Sequence, residues 1–478
     1  MTTLSETIIP NGLLTASNTE TITNKTISAL SNTITDLDLG LSFFVESQNT
    51  TSPNDTVYAN VFSAVGSTTD VDFVIDVKGV GALLVTLPDG SATGGNKRGD
   101  YAIDFQKIRS LNSQVASGSY ATIVGGRSNY ASGTYSVSGG YNNNSSGQSS
   151  TSFGYQNTAN SSYASALGYS NLAQGLGSTS LGYDNSSTGN YGVSAGYLNS
   201  ASGEDAVAIG YSNLASNLGA VSLGYDNTAS GAYSTALGGR INSATTNYGT
   251  TAGYTNTASG AYAIAIGYSN DATGTGDTAF GYNNTVSGGS AFVVGQGNSA
   301  LAAGAAGLNL SNRADGRACT VLGENGDART RISSLTLGSV PYNANYAMQS
   351  VFMTLGAFST SDTGNALTTY ASAGLGSGYV NMDSNTSATF KMLVVAQVIG
   401  GDAKAWEVVG LVRRGASGAS YFVGTPTTTV VAEDVGASSW TIDFGFHSTY
   451  GYWYPIGYGQ VSTSIYWTAS LWMSEVGN

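Results

Sequence analysis

Apolar, small and polar positions recur along residues 113–300 with a period of 14 residues. Each unit carries an apolar or small residue, then Gly, usually Tyr, one variable residue, Asn, another variable residue, and Ala or Ser with one exception. The Gly recurs thirteen times from Gly126 to Gly295, and only the step from Gly224 to Gly239 spans 15 residues. This period is too short for paired helices and lacks heptad spacing. It predicts coils of two short strands and two tight turns, stacked in parallel.

The recurring Gly and Asn are expected at the corners of each coil. Gly adopts positive φ without steric cost, and Asn is the other residue that tolerates the left-handed region. Stacked Asn side chains can also form a hydrogen-bonded ladder along the axis. With about 4.8 Å between stacked strands, thirteen coils predict a rod on the order of 60 Å long.

Each coil is expected to bury little apolar surface. The predicted core residues are the small residue after the Asn and the apolar residue before the Gly, for which the examples are Leu167, Leu181, Ile209, Leu223 and Ile266. A buried Leu contributes about 1.5–3 kcal/mol, whereas ordering each of fourteen backbone units costs about 1–2 kcal/mol. Backbone ladders and packing against other copies must supply the difference, so we expect an oligomer.

Two segments of the repeat resemble a known family. Residues 203–217 (GEDAVAIGYSNLASN) and 260–274 (GAYAIAIGYSNDATG) are similar to the head repeats of trimeric autotransporter adhesins of the YadA type. Similar repeats, such as residues 117–143, occur in bacteriophage tail fibres. The resemblance covers residues 112–301 and implies an all-β fold, with left-handed parallel β-rolls assembled into a homotrimer.

The segments on either side of the roll differ from it in composition. Residues 1–45 contain TNKTI, which resembles segments near the start of phage fibre proteins and implies an attachment segment, although an ordinary linker is the alternative. Residues 46–111 carry strand signals and predict a small β domain. Residues 302–345 concentrate charges, which suits a cap or neck that ends the stack; solvated loop charges are the alternative.

Residues 346–478 predict a separate β domain. Alternating apolar and polar runs recur there, and all five Trp lie between Trp406 and Trp472. Several short strands at this spacing predict a β-sandwich or jelly roll. The stretches from Trp406 to Arg414 and from Trp467 to Val476 are similar to strands in the C-terminal domains of phage fibres.

Composition narrows the class of protein. The chain has 65 Gly, 9% charged and 41% hydrophobic residues, which together with the strict period favours ordered β structure. A net charge of −13 without a basic stripe argues against a nucleic-acid partner. No start resembling a secretory signal and no run of about 18 apolar residues is present, so no membrane insertion is expected. The single Cys319 predicts neither a disulfide nor a cysteine zinc site, but a small buried residue.

The sequence predicts no catalytic, cofactor or metal site. Polysaccharide hydrolysis needs two carboxylates about 5–10 Å apart, and the acids of the last domain show no recognisable motif. His447 is the only His, and no nucleophile elbow accompanies it. The Arg-Gly-Asp triplet at 98–100 is short enough to arise by chance. We therefore expect a protein that is not an enzyme.

One aromatic stretch suggests binding. Residues 447–459 concentrate five rings among Gly and Pro, too densely, we predict, to alternate into a core. Aromatic faces and phenol groups suit saccharide or protein receptors. The candidate receptor-binding residues are Tyr450, Tyr452, Trp453, Tyr454 and Tyr458. A core or trimer interface is the alternative role for them, and a second candidate surface is the column Tyr141, Tyr155, Tyr169, Tyr183, Tyr197, Tyr211 and Tyr225.

These features favour a phage tail fibre, an extracellular part of the virion. The resemblance implies that the N-terminal part binds other tail or baseplate proteins, and that the C-terminal domain binds a glycan or protein receptor on the host surface. A bacterial trimeric surface adhesin is the main alternative, although the signal peptide, coiled-coil stalk and barrel anchor of that class are not found in the sequence. A polysaccharide-depolymerising tailspike is the third hypothesis.

Overall fold

The structure is a computed structural model that describes residues 45–48, 58–61, 75–339, 347–359, 364–368, 379–448 and 450–477. The chain forms two compact units, Met1–Asp76 and Val77–Asn478. In the first unit, β1 (Val45–Gln48) pairs antiparallel with β2 (Tyr58–Val61). The predicted attachment segment, residues 1–45, lies outside the described residues apart from its last position.

In the second unit, β3 (Leu83–Leu84) and β4 (Ile103–Asp104) begin a parallel ladder that the repeats extend. Each coil then adds one longer and one two-residue strand. The longer strands are β5 (Thr122–Arg127), β7 (Val137–Tyr141), β9 (Thr151–Tyr155), β11 (Ser165–Tyr169), β13 (Thr179–Tyr183), β15 (Val193–Tyr197), β17 (Val207–Tyr211), β19 (Val221–Tyr225), β21 (Thr235–Arg240), β23 (Thr250–Tyr254), β25 (Ile264–Tyr268), β27 (Thr278–Tyr282), β29 (Phe292–Gln296), β31 (Ala306–Leu310) and β33 (Thr320–Glu324). The two-residue strands are β6 (Tyr130–Ala131), β8 (Asn144–Ser145), β10 (Thr158–Ala159), β12 (Leu172–Ala173), β14 (Ser186–Ser187), β16 (Ser200–Ala201), β18 (Leu214–Ala215), β20 (Thr228–Ala229), β22 (Ser243–Ala244), β24 (Thr257–Ala258), β26 (Asp271–Ala272), β28 (Thr285–Val286), β30 (Ser299–Ala300) and β32 (Arg313–Ala314).

The coils stack in register as a parallel solenoid. Residues 14 apart pair with each other, so Leu167 lies opposite Leu181 and Gly168 opposite Gly182. The prediction of an all-β parallel solenoid with 14-residue coils is confirmed, with about sixteen turns. At about 4.8 Å per turn the solenoid is roughly 75 Å long.

The core of the solenoid consists of small side chains. In one coil, Ala159, Ala164 and Ala166 have no exposed surface, and Ser replaces Ala at several equivalent positions. The apolar residue before each frame Gly was expected in this core, but it lies on the outer side of the longer strand: Leu167 is only half-buried and Ile209 is 41% exposed. The prediction was wrong because the inward position of that strand is one residue earlier. The narrow space between the facing strands holds mostly Ala and Ser, with Val or Ile in a few coils.

The frame Gly occupies a corner as predicted. From Gly126 to Gly295 these residues have φ between 49° and 125°. Space is restricted as well, since a Cβ on Gly168 would lie 2.1 Å from the carbonyl oxygen of Gly182 in the next coil. Both conditions require glycine.

The frame Asn does not occupy the left-handed corner that was predicted for it. The residue before it does, as Ser212 shows with φ 54°, and a second left-handed residue follows the frame Gly by nine positions, as at Tyr163 with φ 61°. The Asn side chain instead points inward and forms the predicted ladder. In Asn213, Oδ1 accepts from the backbone N–H of Asn227, and Nδ2 lies 2.9 Å from Oδ1 of Asn199.

This asparagine ladder extends beyond residues 112–301, in which the repeats were recognised from the sequence. It comprises Asn129, Asn143, Asn157, Asn171, Asn185, Asn199, Asn213, Asn227, Asn242, Asn256, Asn270, Asn284, Asn298 and Asn312. Gln106 takes the place of Asn at its start, where Oε1 accepts from the backbone N–H of Asn129 at 2.6 Å. The backbone N–H of Gly326 donates to Asn312 at its end. The stack therefore extends on both sides of residues 112–301.

The pairing of the strands changes from parallel to antiparallel after the last coil. β33 pairs parallel with β34 (Ser334–Ser339), and β34 pairs antiparallel with β35 (Ala347–Ser359). The strands that follow are β36 (Asn365–Ala366), β37 (Val380–Asn381), β38 (Thr386–Val398), β39 (Ala403–Arg414), β40 (Ser420–Phe422), β41 (Thr427–Glu433), β42 (Thr441–Phe446), β43 (Tyr452–Tyr458) and β44 (Ile465–Gly477), with a 3₁₀ helix at Val435–Ala437.

These strands form two antiparallel sheets. The larger continues the solenoid in the order β34, β35, β44, β38 and β39, with β40 and β41 on β39. The smaller centres on β43, which pairs with β42, β36 and β37. Both sheets contribute to one core around Phe390, Trp406, Trp440, Trp453 and Trp467. The fifth tryptophan, Trp472, is 54% exposed on the outer side of the larger sheet.

A buried charge cluster joins the last coil to the larger sheet. Arg331 and Glu475 form an ion pair in which neither side chain is exposed. Arg329 lies 3.8 Å from the same carboxylate and 3.2 Å from the half-exposed Asp383. Burial lowers the pKa of Arg331, and the charge of Glu475 opposes that shift. Gln349 completes the cluster by donating to Glu475 at 2.7 Å. Among the charges between 302 and 345, these two arginines are therefore buried and not solvated.

Candidate functional site

The aromatic stretch near the C-terminus is mostly a strand and not a loop. Along β43 the residues alternate, with Tyr452, Tyr454 and Tyr458 half-buried on the outer side and Trp453 fully buried. The expectation that the rings are too dense to alternate was wrong, because the inner positions after Trp453 hold Pro455 and Gly457. Small inner residues leave space for neighbouring rings: a Cβ on Gly457 would lie 2.6 Å from the Trp467 ring.

Trp453 is therefore corrected from a candidate receptor contact to a core residue. Its ring lies 4.8 Å from that of Phe390 and 6.2 Å from that of Phe444, between the two sheets. With no exposed surface, it cannot contact a ligand on the intact domain. Its replacement by Ala would test core packing and would leave the receptor question open.

Three of the other predicted residues come together with two further rings. Tyr450 and Tyr452 stack at 5.7 Å, and His447 lies 4.8 Å from Tyr450. Just before the neighbouring strand β37, Tyr379 lies 4.9 Å from Tyr454 and 6.1 Å from Tyr452. We call these five residues the C-terminal tyrosine cluster: Tyr379, His447, Tyr450, Tyr452 and Tyr454. Tyr450 is its most accessible predicted member, at 58% exposed.

Sequence reasoning missed Tyr379. It precedes β37, whose Val380 pairs with Trp453, and this pairing brings Tyr379 opposite Tyr454. Nothing near Tyr379 in the sequence indicates that pairing. Tyr458, in contrast, lies at the other end of β43, and within the described residues no ring contact connects it to the cluster.

The turn that presents Tyr450 is held by the body of the domain. Gly451 is buried with φ 71°, and a Cβ there would lie 2.3 Å from Nε of Arg414. Its carbonyl oxygen accepts a hydrogen bond from Oγ of Ser420 at 2.7 Å. Arg414 in turn donates to the carbonyl oxygen of Met382 at 2.6 Å. The tyrosine cluster is thus preorganised, which lowers the entropic cost of binding a ligand.

A second aromatic surface lies on the solenoid. The predicted tyrosine column stacks from Tyr141 to Tyr225 with ring centroids 4.6–5.0 Å apart. Arg127 lies over Tyr141 and Arg240 over Tyr225, so a guanidinium covers each end of this stack. Both arginines follow a Gly-Gly pair where the strand register shifts. Neither feature was anticipated from the sequence.

The two aromatic surfaces differ in what they expose. Within the column each ring covers the faces of its neighbours, so a ligand meets ring edges and phenol hydroxyls. Shorter columns have the same stacked geometry, and one of them consists of Tyr233, Tyr248 and Tyr262. The tyrosine cluster ends at Tyr450, beyond which no further ring continues its stack among the described residues. The cluster is therefore better suited to stacking against a sugar or a receptor side chain.

The described part of the chain offers few other candidate functional sites. There, no group of three or more His, Cys, Asp or Glu residues is arranged to hold a metal ion. None of the helices described is long and apolar enough to cross a membrane. The Arg98 of the Arg-Gly-Asp triplet is buried in an ion pair with Asp104 at 2.7 Å, so the triplet cannot present its guanidinium to a receptor.

Comparison with protein families identifies the repeats. Residues 145–171, 173–199, 187–213, 201–227, 215–240 and 252–270 match the YadA head domain repeat, described as two copies. All of these matches lie within the solenoid, and they agree with the resemblance noted from the sequence. No curated protein matches the chain.

Proposed function

We propose that the chain is a homotrimeric, adhesin-like surface protein, and specifically a bacteriophage tail fibre that mediates adsorption to the host cell. The YadA head repeats support an extracellular protein of adhesin type. The solenoid supplies a stiff spacer, since its coils are joined by continuous backbone and asparagine ladders. The C-terminal tyrosine cluster is the observation that carries the binding role, with a glycan or protein receptor as ligand and no catalytic step.

In this proposal the N-terminal part of the chain attaches to other tail or baseplate proteins. The bacterial trimeric surface adhesin stays the second candidate, because the same head repeats serve that class. Labelling purified phage particles and bacterial cells with an antibody against residues 379–477 distinguishes the two. Label at distal fibre tips supports the tail fibre, whereas label on the surface of uninfected cells supports the adhesin.

We expect the purified chain to be a trimer in solution. The solenoid buries mainly alanine and serine within one chain, so its half-exposed apolar row gains most by packing against other copies. Light scattering should give three times the chain mass of 48.6 kDa. A stable monomer at micromolar concentration would overturn the trimeric part of the proposal.

Replacement of both Tyr450 and Tyr452 by Ala is expected to reduce adsorption more than about tenfold, because truncation of an aromatic residue at a binding hot spot costs about 2 kcal/mol or more. A trimer presents three clusters, so avidity amplifies the loss. Binding of fluorescently labelled fibre to host cells measures the effect.

The matched control for this prediction is Tyr163→Ala, which removes a tyrosine that is 60% exposed on the solenoid. It should leave adsorption unchanged. Normal adsorption of the double variant, with melting also unchanged, would refute the tyrosine cluster and direct attention to the tyrosine column.

A further inference from the structure

The outer side of the larger C-terminal sheet carries a wide apolar surface. Strand alternation directs one set of side chains away from the core, and many of them are large, apolar and exposed or half-buried, including the nine considered below. We call these nine residues the outer apolar face: Met348, Phe352, Phe358, Leu393, Val395, Val409, Tyr466, Trp472 and Val476. Cross-strand pairing brings its rings together, with Phe352 5.1 Å from Trp472 and Phe358 4.8 Å from Tyr466.

This surface is too large for an isolated chain in water. With about half of each side chain exposed, the nine residues present on the order of 700 Å² of apolar area. The largest apolar patch on a typical monomer is about 300–600 Å², and a stable interface buries about 800 Å² per partner. The area therefore matches what one side of a protein interface needs.

A cavity opens on the same surface. Its volume is about 740 Å³, and it lies where the last coil meets the larger sheet. Leu335, Phe352, Leu393 and Trp472 line it. The lining is mostly apolar, so several apolar side chains from another molecule would fill it more favourably than water.

The charge in the middle of the face is balanced. Lys391 projects between Trp472 and Val409, and its Nζ lies 2.9 Å from Glu407 on the adjacent strand. Because the two charges neutralise each other, an identical face meets no net repulsion there. This arrangement fits self-association better than recognition of a charged partner.

The face continues a feature of the solenoid. The half-exposed residues before the frame Gly form a row, and strand pairing continues this row through Leu308 and Leu322 to Leu337 on β34. β34 then pairs with β35, where Leu335 lies opposite Phe352. A partner that covers this row needs side chains that repeat at the spacing of the coils. Another copy of this chain has side chains at that spacing.

We propose that the outer apolar face is the surface through which the C-terminal domains of neighbouring copies of this chain contact each other, with side chains of one copy closing the cavity of the next. The proposal rests on the homotrimer proposed above and adds the surface that forms it. The tyrosine cluster belongs to the smaller sheet, so assembly through the larger sheet leaves the cluster accessible.

Cysteine cross-linking tests the assignment. Ser470 is exposed in the centre of the face and lines the cavity, whereas Thr441 is exposed on the smaller sheet. Ser470→Cys and Thr441→Cys in the full chain would each be treated with a short bis-maleimide after the mass in solution has been measured. The native Cys319 does not compete, because it is fully buried and burial raises the pKa of its thiol to about 12.

We expect covalently linked chains from Ser470→Cys and only single chains from Thr441→Cys on a denaturing gel. A Ser470→Cys trimer that does not cross-link, or equal cross-linking of both variants, would overturn the assigned face and leave the trimer intact. A monomeric mass for both variants and for the parent chain would overturn this assignment and the homotrimer together, and would identify the face as open to a different protein.

Discussion

Replacement of Glu475 by Gln is expected to lower the free energy of unfolding by about 3–5 kcal/mol, the typical cost of removing one partner from a buried ion pair. Glu475 is the carboxylate that Arg331 and Arg329 share, and the side chains of both arginines are almost completely buried. Without it, two guanidinium groups stay desolvated beside each other. Thermal unfolding followed by circular dichroism measures the loss.

The matched control is Asp383→Asn. Asp383 also pairs with Arg329, at 3.2 Å, but its side chain is 51% exposed, so water can replace the lost charge. Exposed pairs contribute about 0–1 kcal/mol. Equal shifts in melting temperature for the two variants would show that burial of Glu475 is not what makes its charge important.

Replacement of Asn213 by Val is expected to lower the free energy of unfolding by at least about 3 kcal/mol, because one buried and two part-buried backbone groups each lose a partner at about 1 kcal/mol or more. These groups are the carbonyl oxygens of Ile209 and Gly224 and the backbone N–H of Asn227. The cost comes from the ladder and not from a strained corner, since the left-handed residue is Ser212. The guanidinium concentration at the midpoint of unfolding, measured on the full chain, reports this loss of stability.

The same substitution at Asn160 is the control. Asn160 is exposed between two strands of the same solenoid and is not one of the ladder residues. Asn160→Val should change the free energy of unfolding by less than about 0.5 kcal/mol. If Asn213→Val were equally silent, the ladder would contribute nothing that the backbone pairing does not already supply.

The solenoid could be predicted from the sequence because each coil repeats the same local constraints. The frame Gly is visible because its φ and its distance from the next coil favour glycine so strongly that Asn309, with φ 86°, is a rare replacement. The other two left-handed positions are hidden, because residues as different as Ser212, Leu198 and Tyr163 adopt them. Stacking between coils imposes the conformation there, so residue type carries little signal.

The C-terminal domain was less predictable because its contacts join distant segments. Alternation indicated strands, yet it did not show which side of β43 faces the core. That choice follows from Gly457, which leaves room for Trp467. Tyr379 joined the tyrosine cluster through strand pairing alone, and the shared carboxylate of Glu475 lies 144 residues from Arg331.

The in-register solenoid also makes length a modular property. Because each coil pairs only with the coils before and after it, loss or duplication of 14 residues joins equivalent positions and keeps the ladder continuous. Loss or duplication of whole repeats would therefore alter the length of the solenoid in steps of about 4.8 Å. Such variants would leave the segments on either side of the solenoid unchanged, so its length can evolve independently of them.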